Sequence, residues 1–142
     1  MSKVLLHTPV GVRDIYGNEC AVKLPIENNI NKVFNLYGYH NIQTPTFEFF
    51  DIFSKERGSV ASKNLYKFFD REGNTLVLRP DITPSIARLA AKYYMNTNIP
   101  IKLCYNANTY VNTSELQGKL KETTQVLAKP GSVTCHKKFT AQ

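Results

Sequence analysis

An α+β fold, an antiparallel sheet with helices on its flanks, is what the sequence predicts, and three patterns carry that expectation. Two short apolar runs, residues 65–69 and 75–78, flank a polar break, Asp70-Arg71-Glu72-Gly73-Asn74. Gly73 and Asn74 both tolerate positive φ, so the pattern reads as a β-hairpin with a slightly long loop. Val22, Ile26, Ile30, Val33, Phe34 and Tyr37 recur at helical spacing. Ile101, Leu103 and Tyr105 alternate with Lys102 and Cys104, the period of a half-buried strand.

Taken in order, residues 5–17 are turn-rich, punctuated by Pro9, Gly11 and Gly17. Asn18 is placed to cap a helix with Glu19 in its first turn. Pro25 predicts a kink or a late start, and Gly38 a C-cap. Residues 40–50 nearly alternate and predict one extended strand, put at a sheet edge or interface by Pro45. Phe47, Phe49, Phe50 and Phe53 are expected in a short helical or irregular core segment. Residues 54–64 read as a polar, mobile loop. The second hairpin strand runs into Arg79-Pro80-Asp81-Ile82-Thr83-Pro84, where the Thr83 hydroxyl is expected to cap a helix and Pro84 to open it. Ile86, Leu89, Ala90 and Tyr93 mark one face of that helix. Asp81 falls on the turn between strand end and helix start, a place to hold a small cationic group. The chain breaks at residues 96–100. A strand then ends near Tyr110 and Val111, and Gln117-Gly118 turns it into a polar strand over 119–125.

Composition narrows the function classes. At 142 residues the chain is one domain by length, and 42% hydrophobic and 11% aromatic residues mark it as globular. No apolar run approaches the roughly 18 residues needed to span a bilayer, and residues 1–11 are too poor in apolar side chains for a signal sequence. Cys20, Cys104 and Cys135 lie far apart and show no C-x-x-C pair, so free thiols in a reducing cytoplasm are expected rather than disulfides or a metal site. His7, His40 and His136 are isolated, and there is no Gly-rich phosphate loop, no metal-ligand spacing and no cofactor motif. The net charge of +7 is uneven: residues 119–142 carry five lysines against Glu122 and so hold +4 of it. No two arginines are adjacent, which argues against a nucleic-acid footprint.

The run LYKFFDREGNTLVLRPDITPSIARL, residues 65–89, resembles the segment that shapes the histidine pocket in the histidyl-tRNA synthetase-like, class II synthetase superfamily. The fragment TPVGVRDIYGNEC resembles the P-x-G-x-R-D opening of the same superfamily. Asp81, where the synthetases have Glu, resembles its non-catalytic branch, the regulatory subunits of ATP phosphoribosyltransferase. The helix, Gly-Tyr turn, strand and proline resemble the first class II signature motif. By that resemblance residues 38–45, opening on Gly38 and closing on Pro45, would support a homodimer or larger hetero-oligomer.

Residues 102–125 resemble the second class II motif, two antiparallel strands whose loop grips ATP in the enzymes. The family's α-phosphate arginine is replaced by Val111, the acidic residue two positions on by Thr113, and the adenine-stacking phenylalanine by Thr123. Asp81, Thr83 and Gln125 match superfamily positions that contact the histidine α-amino group. A carboxylate, a hydroxyl and an amide oxygen are three acceptors for an ammonium's three donors. Without the resemblance, Asp81 reads as a helix cap and Gln125 as a surface strand residue.

The resemblance implies an α+β, partial class II synthetase-like domain over residues 1–125, followed by a divergent basic tail over 126–142, where Lys129 replaces a pocket carboxylate and which would follow from truncation or frameshift. The implied function is regulatory and non-catalytic: a histidine-sensing subunit acting on a cytoplasmic catalytic ATP phosphoribosyltransferase in the first step of histidine biosynthesis. Two rivals remain at this point, a histidine–tRNA ligase fragment and an RNA-binding module using the basic tail.

Overall fold

The longest strands are two of ten residues, β5 (Ile101–Tyr110) and β6 (Glu122–Gly131), paired antiparallel along their whole length. In this computed structural model residues 6–54, 60–95, 100–113 and 118–131 are described. Before the ribbon come α1 (Gly17–Leu36), β1 (His40–Asn41), β2 (Phe47–Phe49), α2 (Phe50–Ser54), a 3₁₀ turn (Ser62–Asn64), β3 (Lys67–Phe69), β4 (Thr75–Leu78) and α3 (Thr83–Tyr93). They form two three-stranded sheets, β1-β5-β6 with β1 parallel to β5, and an antiparallel β2-β4-β3.

The hairpin forms as read, with Phe69 opposite Thr75. Gly73 alone takes positive φ (+83°), while Asn74 instead donates its backbone and side-chain N–H groups to the Asp70 carboxylate at 2.8 Å each. Around it lies a small core of Phe53, Leu65 and Val77. A second core joins Ile82 and Ile86 of the α3 region to Leu103 and Tyr105 of β5. Burying side chains of this size stabilises by about 1.5–3 kcal/mol each.

The helix α1 departs from expectation in two ways. Its N-cap residue is Tyr16, so Asn18 already lies inside the helix, and Glu19 instead takes both Nη groups of Arg13 at 2.5 and 2.8 Å. Of the two outcomes expected at Pro25, a kink or a late start, the late start does not occur, since the proline sits within the helix. Its sheet-facing side is Cys20, Lys23, Glu27, Ile30, Asn31 and Phe34, while Val22, Ile26, Val33 and Tyr37 are exposed. The physical reason is the strand surface beneath: Asn106 of β5 and Thr124 of β6 present polar groups that Glu27 and Lys23 satisfy. The Gly38 expectation holds. Gly38 (φ +76°) donates to Asn35 O and Tyr39 to Phe34 O, both at 3.0 Å, a Schellman closure.

Residues 40–50 are not one strand. β1 and β2 lie on the edges of different sheets, and residues 42–46, with Pro45, cross between them. The phenylalanines are not uniformly core either. Glu48 is only 7% exposed, whereas Phe47 and Phe49 are about half exposed, because the buried side of β2 faces Arg88 of α3. Phe47 meets Phe68 edge-on at 5.7 Å on the open side of the small sheet. Of the expected loop over 54–64, residues 55–59 lie outside the described residues and 62–64 form the 3₁₀ turn. Residues 96–99, Gln117 of the expected turn, and the tail from 132 onward, with Cys135 and His136, also lie outside them. β6 begins at Glu122 rather than residue 119 and continues in register past residue 125 to Gly131.

Candidate functional site

Successive strand residues face opposite sides, and this sorts the polar groups of the ribbon. Leu103 and Tyr105 pack with Ile82 and Ile86, with Ala107 partly buried against them, so the odd-numbered side of β5 faces α3. Ala107 is the register partner of Gln125, which places the Gln125 side chain on that same face. Asp81 sits at the entry to α3 on this side, and its charge reaches the Tyr105 phenol. Burial first, then Asp81, holds that phenol above its ordinary value. Asp81, Thr83 and Gln125 are all half-buried.

The start of α3 is built differently from the sequence expectation. The N-cap residue is Ile82, without a side-chain cap, and Pro84 sits in the first turn. Thr83 is a donor here, not a cap. Its backbone N–H and its hydroxyl both reach Asp81 Oδ1 at 3.3 Å. Asp81 therefore does support the helix start, through one oxygen. Its Oδ2 accepts no hydrogen bond among the described residues, so one carboxylate oxygen remains for a donor from outside.

Val111 directly follows β5, with its N–H on Lys121 O at 2.8 Å, and the Lys121 N–H in turn donates to Gly11 O at 2.7 Å. The Thr113 hydroxyl is buried with no partner among the described residues. Thr123 lies opposite Thr109, the two hydroxyls 3.0 Å apart. Among the described residues no group of three His, Cys, Asp or Glu side chains could hold a metal ion, and no helix is long and apolar enough to cross a membrane.

Sequence reasoning gave Arg79 no role, yet it is the best-partnered side chain near the site. Only 5% exposed, it donates from Nε to Asn108 O at 2.8 Å and from Nη1 to Thr44 O and Pro45 O at 2.8 and 3.0 Å. Its own backbone bonds Thr46 O and the Tyr110 N–H. The signal was present in the sequence: an arginine closing an apolar strand directly before a proline.

These elements form a class II synthetase-like core: a hairpin leading into a helix whose entry carboxylate shares a face with a long antiparallel ribbon. Comparison with known proteins narrows the class. The histidyl-tRNA synthetase family model matches residues 11–128, and the chain belongs to that family. Among curated relatives, the ATP phosphoribosyltransferase regulatory subunit of Acetivibrio thermocellus is 42% identical over 125 residues, 88% of this chain and 30% of that protein. The crystal structure of an ATP phosphoribosyltransferase regulatory subunit/histidyl-tRNA synthetase from Bacillus halodurans superimposes with TM-score 0.75 at 34% identity, over 86% of this chain and 31% of that one. Apo histidyl-tRNA synthetase of S. aureus gives 0.68 at 29% identity, over 84% and 27%. The chain thus spans about 30% of the length of the curated relatives it matches.

Proposed function

We propose that the chain belongs to a non-catalytic regulatory subunit of ATP phosphoribosyltransferase, working in the cytoplasm with the catalytic subunit in the first step of histidine biosynthesis. Histidine is the effector, and Asp81, Thr83 and Gln125 receive its α-amino group. The observation that carries this reading is the shared face: an entry carboxylate whose Oδ2 has no partner among the described residues and the register position of Gln125 lie on one side of the ribbon. The similarity to proteins named regulatory subunits supports the assignment. Asp is one methylene shorter than Glu, so the ammonium sits deeper or is reached through a water.

Adenylation is set aside on physical grounds. A charged hydrogen bond contributes about 1.5–3 kcal/mol, and more where it meets charge developing in a transition state. Val111 supplies none of it. Residues 1–125 are proposed as the synthetase-like unit and 126–142 as a divergent basic segment with no assigned role. Self-association is proposed through the edge around residues 38–45, beside the exposed Val33 and Tyr37.

The test pairs the chain with a short catalytic ATP phosphoribosyltransferase subunit. Formation of a complex whose activity falls on adding histidine is expected. Effector coupling of this kind is typically 1–3 kcal/mol, roughly 5–150-fold in affinity. Histidine-dependent ATP–pyrophosphate exchange by the chain would instead show an enzyme and overturn the assignment.

A further inference from the structure

Behind the ribbon, on the face away from Asp81, α1 and the connection over residues 42–46 flank an open polar cavity of about 450 Å³ lined by Lys23, Glu27, Gln43, Thr46, Arg79 and Asn108. This volume falls within the range of small-molecule sites. Most of its polar groups satisfy one another: Lys23 donates to Thr124 Oγ1 at 2.9 Å and lies 3.3 Å from Glu27, which accepts from Asn106. Two cations keep donors to spare: Lys23, whose two partners leave one of its three N–H groups, and Arg79. Its Nε and Nη1 are taken, but Nη2 has no partner among the described residues and is not sealed from solvent.

The charges around that nitrogen do not balance. Glu48 is the carboxylate whose field reaches Arg79, but its Oε1 already holds Arg88 at 2.7 and 3.1 Å. Arg79 itself makes no ion pair among the described residues. On the cavity wall itself Lys23 is matched by Glu27, which again leaves the Arg79 charge in excess. The open Nη2 donor is therefore left to water, and an anion in the cavity would take that place with a charge-assisted hydrogen bond.

We propose that this cavity is a binding site for a small oxyanion, the carboxylate or phosphate group of a small metabolite, held by Arg79 Nη2 and the Lys23 ammonium with Gln43 and Thr46 as neutral donors. It is distinct from the Asp81 corner, and it stands whether or not histidine binds there.

The experiment is calorimetric titration of the full chain with sodium phosphate and, separately, sodium acetate, with sodium chloride holding ionic strength constant. Saturable one-to-one binding of at least one anion is expected, and the anion preferred identifies the group. Loss of the Lys23 charge in Lys23→Gln is expected to weaken binding about tenfold. Arg79→Lys should abolish it; where that variant fails to fold, Lys23→Gln decides. Asp81→Ala should leave anion binding unchanged. Absence of saturable binding by either anion above chloride, equal binding in Lys23→Gln, or loss in Asp81→Ala overturns the proposal.

Discussion

Arg79 Nε donates to the carbonyl oxygen of Asn108 at 2.8 Å, tying the end of the hairpin to the C-terminal part of β5. The same guanidinium reaches Thr44 O and Pro45 O, so one side chain fastens three segments. Lysine keeps the charge but offers a single ammonium on a flexible stem instead of a planar fork. Arg79→Lys is expected to cost about 2 kcal/mol, since a single ammonium leaves two of the three part-buried carbonyls without their donor, at about 1 kcal/mol each. Urea unfolding followed by circular dichroism measures it; a loss below about 0.5 kcal/mol would show that the fork is not structural.

Glu48 and Arg88 join α3 to β2 across the floor of the small sheet. Removing one partner leaves the other charge poorly compensated. Because Arg88 keeps about a third of its side-chain exposure, Glu48→Ala is expected to cost about 2–3 kcal/mol, short of the 3–5 of a fully buried pair. A double-mutant cycle with Arg88→Ala should return a coupling of about 1–2 kcal/mol. Additive losses would deny the interaction.

Stability should fall at alkaline pH. Burial pushes the Cys104 thiol above its ordinary 9.0 and the Tyr105 and Tyr110 phenols above their ordinary 10.0. The folded chain therefore keeps protons that the unfolded chain has already released. Their contribution is full below about pH 9 and is lost as pH rises through the raised folded values. Unfolding midpoints between pH 8 and 11 check this, and Tyr105→Phe should flatten the upper part of the decline. A curve that rises across that window would contradict it.

The thiols should separate by reactivity. Cys104 is fully buried, with Sγ 3.2 Å from Asn41 Oδ1, while Cys20 is partly accessible. In a Cys135→Ser background, a thiol reagent at pH 8 is expected to modify one cysteine quickly. The second should react only at the rate of unfolding. Two fast thiols would mean that the β1–β5 edge opens readily.

What the sequence disclosed followed from local rules. The hairpin, the position of the α3 start and the Gly38 closure depend on neighbours within a few residues, and each was readable. The side of α1 that meets the sheet was not, because the deciding partners, Asn106 and Thr124, lie 79 and 101 positions from Glu27 and Lys23. Alternating asparagines in residues 101–110 hinted at a polar strand face, but not at what covers it. For the same reason Phe47 and Phe49 read as core: the burial of Glu48 depends on Arg88, forty residues on. At the Asp81 corner the residue types were legible and their roles were not, since Thr83 gives the hydrogen bonds it was expected to receive.

The proposed effector corner is tested most directly by titrating L-histidine into the isotopically labelled chain and following the amide resonances of Asp81, Thr83 and Gln125. Saturable shifts at these three positions are expected, with affinity on the order of 1 mM. They should be reproduced by histidine methyl ester, which keeps the ammonium, and absent with N-acetylhistidine, which does not. Resonances unmoved by histidine, or moved equally by the acetylated analogue, would contradict the account.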